Sequence, residues 1–129
     1  MSFFLSSMSV GLTPPIEHMK AAEGETVKLG EALTLDAGAL TKCGATVKPS
    51  YIAVGPADMH GMTPVIAVQA YMVFETTLSA AAGEGGLSAG SKVTLSEDGL
   101  EVTATTASGV AEIVSIDGGA VGNTVLVKF

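Results

Sequence analysis

Glycines recur about every ten residues from Glu23 onward, and short runs rich in β-branched residues lie between them. Residues 30–42 and 90–103 each predict a strand, a tight turn that contains aspartate and glycine, and a second strand. Glycine accepts positive φ and aspartate hydrogen-bonds its own backbone, so both residues favour such turns. A third glycine cluster at 118–122 precedes a strand-like end at 123–129. The pattern predicts an all-β fold, a small β-sandwich or barrel-like domain with short hairpins.

The longest apolar stretch, residues 65–74, alternates in a way that predicts one strand with a buried face. A helix over 65–78 stays open as an alternative, because a short apolar run does not define its own period. The buried face is expected to hold Ile66, Val68, Ala70, Met72 and Phe74. Further strands are expected at 93–95, 100–106, 110–116 and 124–129, after a glycine-rich loop at 79–90.

The chain has 129 residues, enough for one compact domain with a core of its own. Residues 1–15 are rich in Ser and Met and end in Thr-Pro-Pro, which predicts a flexible N-terminal arm before a single β-rich domain at 16–129. The arm carries Phe3, Phe4 and Leu5, which a solitary monomer gains little by exposing. Either the arm is an ordinary disordered terminus, or these three residues order against a partner.

The charge balance disfavours nucleic acid as a partner. Six lysines and no arginine stand against thirteen acids, a net charge of -7, whereas phosphate recognition relies on Lys and Arg clusters. The apolar fraction of 47% argues against global disorder. No stretch approaches the roughly 20 apolar residues of a membrane helix, and the N-terminus lacks the positive charge of a secretion signal. A single cysteine, Cys43, cannot form an internal disulfide, which favours folding in a reducing compartment.

Residues able to carry chemistry are few and scattered. His18 and His60 lie at no metal-ligand spacing from each other or from Cys43, and Asp58 and His60 belong to a loop bounded by Gly and Pro. Cys43 lacks the local partners of a catalytic nucleophile and is expected to be a small half-buried residue. Two carboxylate pairs lie in turn-like segments where solvated acids are normal: Glu23 with Glu25, and Glu97 with Asp98. We therefore expect no enzyme activity, no cofactor and no metal.

One segment favours a different class of function. Residues 23–35 are similar to the first half of biotinyl and lipoyl carrier domains, which present a modified lysine at an exposed hairpin tip. The nearby lysine here is Lys42, without the expected Asp or Met neighbour. The carrier interpretation predicts a covalent mass increment on Lys42. A secreted β adhesion or interaction module is a second alternative.

The order of motifs over about 100 residues resembles that of tailed-phage head decoration proteins and their prophage relatives. The matching segments are Gly24 to Leu35, Pro49 to Ala53, Val65 to Phe74, and Gly118 to Phe129 with its basic-aromatic end. The resemblance implies a small β domain, often a trimer, that binds the major capsid protein and locks neighbouring capsomers. It also implies a place on the virion surface, and in the host cytoplasm during assembly. On this hypothesis Phe3, Phe4 and Leu5 dock on the capsid.

Overall fold

The computed structural model describes residues 2–8, 14–82 and 86–129. These residues form ten strands and no helix, arranged as two antiparallel five-stranded sheets that do not close into a barrel. The strands are β1 Phe4–Met8, β2 Glu17–Lys20, β3 Ala32–Asp36, β4 Ala39–Lys42, β5 Tyr51–Ala53, β6 Met62–Ala67, β7 Met72–Thr77, β8 Lys92–Val93, β9 Ala111–Ile116 and β10 Thr124–Lys128. The prediction of a small all-β sandwich is confirmed.

The strand order separates the chain into two layers. The first sheet has the order β1-β7-β10-β9-β8, and the second has the order β2-β6-β5-β3-β4. The first two strands therefore belong to different sheets, and β6 and β7 also belong to different sheets although they are consecutive. The chain crosses between the layers more than once, which ties the two sheets together.

The apolar stretch at 65–74 is two strand segments, so the prediction of one strand is wrong. Strand β6 ends at Ala67 and β7 begins at Met72, with a turn in which the Met72 amide donates to the Gln69 carbonyl at 3.0 Å. Ile66 and Phe74 nevertheless lie in the same core. Met72 is buried in that core too and Val68 packs against it, but Ala70, predicted on the buried face, lies in the turn and is exposed.

The N-terminal segment also differs from the predicted flexible arm. Residues 4–8 form β1, which pairs antiparallel with β7, and Phe3 just before it is buried. Residues 9–13 of the predicted arm lie outside the described residues. A run of Ser and Met gave no strand signal by itself, and the strand forms because the edge of β7 offers hydrogen-bonding partners.

Two apolar cores flank the second sheet. The larger core lies between the sheets, and a smaller one lies on the opposite face of the second sheet. Neighbouring residues of three strands enter different cores, as the twofold period of a strand requires: Ala32 and Leu33, Ile52 and Ala53, Ile66 and Val65. Burial on both faces explains why adjacent positions in these strands are both apolar.

The hairpin over 30–42 is confirmed. Asp36 pairs with Ala39, and the turn between them is formed by Ala37 and Gly38, both at positive φ. The matching segment at 90–103 is less regular, since β8 has two residues and the expected strand at 100–106 is reduced to isolated bridges at Val102. The predicted strand at the C-terminus is confirmed as β10.

Candidate interaction surface

An apolar groove opens beside β1, between the N-terminal segment and the second sheet. Its volume is about 240 Å³. Three large apolar side chains on its rim are substantially exposed, Phe4 at 42%, Leu29 at 47% and Val54 at 37%. The rest of the lining is formed by Phe3, Leu5, Ile52, Ala53 and Ile66. Clustered exposure of this kind marks a binding surface more often than isolated exposed residues do.

Backbone hydrogen bonds fix the rim of the groove. The Phe3 amide donates to the Gly30 carbonyl at 3.0 Å, and the Gly30 amide donates to the Ala53 carbonyl at 2.7 Å. The Ser2 hydroxyl donates to the Leu29 carbonyl at 2.6 Å. Gly30 has a φ of +76°, and a Cβ there would overlap the Ser2 side chain, so only glycine permits this close approach. The groove is therefore a preformed feature of the fold.

The three residues predicted to dock on a partner have different environments. Phe3 is 2% exposed and packs against the Phe129 ring at a centroid distance of 5.7 Å, so it belongs to the core. Phe4 is exposed on the rim, and Leu5 is half-buried in the lining. Sequence reasoning missed Leu29 and Val54, because each lies near other apolar residues and nothing in the pattern marks it as exposed.

Glu31 is the most deeply buried charged residue near this surface. Its side chain is 1% exposed, Oε1 accepts from the Lys28 amide at 3.2 Å, and Oε2 has no hydrogen-bond partner within the described part of the chain. Desolvation by burial raises the pKa of the Glu31 carboxyl, although the Lys28 amide and the Lys42 ammonium oppose the shift. The sequence places Glu31 beside an apolar run, but nothing in the pattern distinguishes it from a solvated acid.

The candidate metal ligands do not converge. His18 lies on β2 and His60 in the loop before β6, and both are exposed. Asp58 Oδ1 accepts from the His60 amide at 2.8 Å and from the Met62 amide at 3.0 Å, and these bonds hold the pKa of the Asp58 carboxyl below its usual range. Within residues 2–8, 14–82 and 86–129, no group of three His, Cys, Asp or Glu side chains is placed to hold a metal ion. Asp58 therefore acts as a turn residue.

Cys43 is more deeply buried than the sequence suggested. It is 2% exposed, and its thiol donates to the Val47 carbonyl at 2.9 Å. Desolvation raises the pKa of the Cys43 thiol to about 11. Because the thiolate is the reactive form, this cysteine is a structural residue and a poor nucleophile.

The carboxylate pairs also lie in turns. Asp98 Oδ1 accepts from the Ser96 hydroxyl at 2.6 Å and the Leu100 amide at 3.0 Å, closing the turn before residues 100–102. Partial desolvation raises the pKa of Asp98, but these two hydrogen bonds together with nearby positive charge such as Lys28 outweigh it, and the pKa is lowered. Glu97 and Glu23 are exposed. Asp98 stabilises its turn, whereas Glu97 and Glu23 are solvated.

Lys42 does not occupy the position of a carrier lysine. The tip of the β3–β4 hairpin is formed by Ala37 and Gly38, whereas Lys42 is the last residue of β4 and pairs with Leu33. A carrier lysine must reach a separate active site, and a hairpin tip permits that reach. The geometry gives the carrier alternative no support.

Comparison with known proteins found no matching family model, no matching curated protein and no matching solved structure. In the described ranges, no helix is long and apolar enough to cross a membrane. The functional argument therefore depends on the geometry of this chain. The groove is suited to receiving an apolar side chain from a partner protein.

Proposed function

We propose that this protein is a structural virion protein that binds the outer surface of a phage head and stabilises the capsid lattice. The observation that carries the proposal is the preformed apolar groove with Phe4, Leu29 and Val54 exposed on its rim. The order of sequence motifs supplies the choice of the capsid as partner. The all-β fold, without a converging set of reactive side chains in the described residues, agrees with a binding role.

Many weak contacts suffice for such a role. Binding at many equivalent lattice positions adds up through avidity, particularly if the protein is a trimer as the resemblance implies. Phe4 and the groove would supply the apolar part of each contact. The acidic surface of a chain with net charge -7 would disfavour nonspecific polyanion binding.

The test is co-sedimentation with heads assembled from the major capsid protein encoded in the same genome. We expect Phe4→Ser to weaken binding by roughly tenfold or more, because burying a phenylalanine contributes about 1.5–3 kcal/mol. Leu35→Ser is the matched control, since Leu35 is 41% exposed on β3 and does not line the groove. Failure of the unaltered protein to sediment with heads would overturn the proposal. If the Phe4→Ser variant bound heads as tightly as the unaltered protein, the groove would not be the capsid-binding surface.

Deletion of the whole N-terminal segment is not a suitable test. It would remove β1 from the first sheet and Phe3 from the core, so loss of binding would not be separable from unfolding. Light scattering on the purified protein tests the proposed trimer. Intact mass spectrometry on the same sample tests the carrier alternative, which requires a mass increment on Lys42.

A further inference from the structure

Half of the lysines of this acidic chain line a single cleft. Lys48, Lys92 and Lys128 surround a space of about 130 Å³ at the end of the sandwich where β8, β9 and β10 meet the loop after β4. Val110 and Phe129 form an apolar wall of the same cleft. Three of the six lysines are therefore gathered at one place on a chain of net charge -7.

Strand register brings two of the lysines to one acid. Lys92 pairs with Glu112 across β8 and β9, and Lys128 pairs with Glu112 across β9 and β10. The three side chains form one cross-strand row, in which Lys128 Nζ lies 3.3 Å from Glu112 Oε2. One carboxylate thus stands between two ammonium groups and neutralises only one of them.

A fixed loop brings Lys48 to this row from the second sheet. The Cys43 thiol bonds the Val47 carbonyl, and the Ala45 carbonyl accepts from the Leu95 amide at 2.9 Å. Pro49, the residue after Lys48, is buried. Among the described residues, Lys48 and Lys92 form no ion pair. Lys48 and Lys92 therefore line the cleft without an ion pair to a described side chain, and the cleft carries a net positive charge.

We propose that this cleft binds a carboxylate side chain on an acidic segment of a protein partner. Lys48, Lys92 and Lys128 bring three ammonium groups to the cleft. Glu112 and the Phe129 main chain bring at most two carboxylates, so the net charge of the cleft is positive. An acidic residue brings its own methylene groups, which fit the wall formed by Val110 and Phe129. The cleft lining has no arginine, so it lacks the bidentate fork that favours phosphate, whereas lysine binds carboxylate or phosphate as a point charge. The negative charge on the remaining surface repels a long polyanion, which favours a short acidic segment at the cleft.

The experiment is a two-dimensional amide NMR titration with a short peptide of glutamate and alanine. We expect saturable amide shifts at Lys92, Val110 and Lys128. The affinity measured from them should fall as salt is added. The double variant Lys48→Gln/Lys92→Gln is expected to lose roughly tenfold in affinity, since each exposed charge contact contributes modestly.

The control is Lys20→Gln/Lys42→Gln, which removes two exposed strand lysines away from the cleft and should bind as the unaltered protein does. Exposed lysines are replaced in both variants, so a native amide spectrum is expected and checks the fold. Three results would overturn the proposal: no saturable shift, equal loss in the control, or equally strong saturation by inorganic phosphate. The titration uses no capsid, so its outcome is independent of the proposed function.

Discussion

Replacing the buried carboxyl of Glu31 by an amide should stabilise the protein at neutral pH. Glu31 is 1% exposed, and its Oε2 has no hydrogen-bond partner in the described ranges. A buried polar atom without a partner costs about 1–3 kcal/mol, and more when it carries charge. Glu31→Gln keeps an oxygen to accept from the Lys28 amide and removes the charge. We expect a gain of about 1 kcal/mol at neutral pH, because the new amide N–H group also lacks a partner.

The pH dependence distinguishes this explanation from a simple packing effect. Burial raises the pKa of Glu31 above its ordinary value of 4.5, so the folded protein binds the proton more tightly than the unfolded chain does. The stability linked to this group is fully present below 4.5 and is lost as pH rises through the folded-state pKa. The advantage of Glu31→Gln should therefore vanish in acid and develop toward neutral pH.

Urea unfolding of both proteins across this pH range measures the effect. Glu97→Gln is the control, because it removes the same charge from an exposed turn residue. A stability difference between the unaltered protein and the Glu31→Gln variant that stays constant with pH would refute the reasoning. Glu31→Ala should destabilise instead, since it leaves a cavity and the Lys28 amide loses its acceptor.

Three further predictions concern the core and its supports. Phe3→Ala should lower the free energy of unfolding by about 3–5 kcal/mol, measured by urea denaturation, because a buried aromatic ring packed on Phe129 is lost. The Cys43 thiol, with its pKa raised to about 11, should resist a thiol reagent at neutral pH until denaturant is added; rapid labelling of the native protein would contradict its burial. Gly109→Ala should destabilise by about 1–3 kcal/mol in thermal or urea unfolding, because a Cβ would overlap the Lys92 main chain. Gly44→Ala is its control, since the one contact there is with the Val47 side chain at 3.4 Å, and equal destabilisation would count against the steric explanation.

The sequence carried the information for the fold class through local chemistry. Turn residues at 36–38 between two short segments of Ala, Leu and Thr predicted the β3–β4 hairpin, because both signals act within a few residues. The same local reasoning failed at 65–74, where the turn at 68–71 contains neither glycine nor proline. Ile66, Met72 and Phe74 are buried as predicted, but they belong to strands of two sheets that share one core, and Ala70 is exposed in the turn between them.

The interaction surface needed the tertiary structure. Phe3 and Phe4 are adjacent in sequence and equally apolar, yet pairing of β1 with β7 buries one and leaves the other on a groove rim. Leu29 and Val54 line the same groove as Phe4 because Gly30 lets the second sheet approach the N-terminal segment closely. Contacts between residues so far apart in sequence leave no periodic signal.

The net charge follows from the sequence alone, whereas the position of the charges follows from the tertiary structure. Composition by itself determined that the chain is acidic and arginine-free, and this disfavours nucleic-acid binding. Only the register of β8, β9 and β10, with the loop fixed by Cys43, gathered Lys48, Lys92 and Lys128 at one cleft. Local propensity depends on neighbours along the chain and is therefore visible in the sequence. A binding surface depends on neighbours in space, which strand pairing and packing decide.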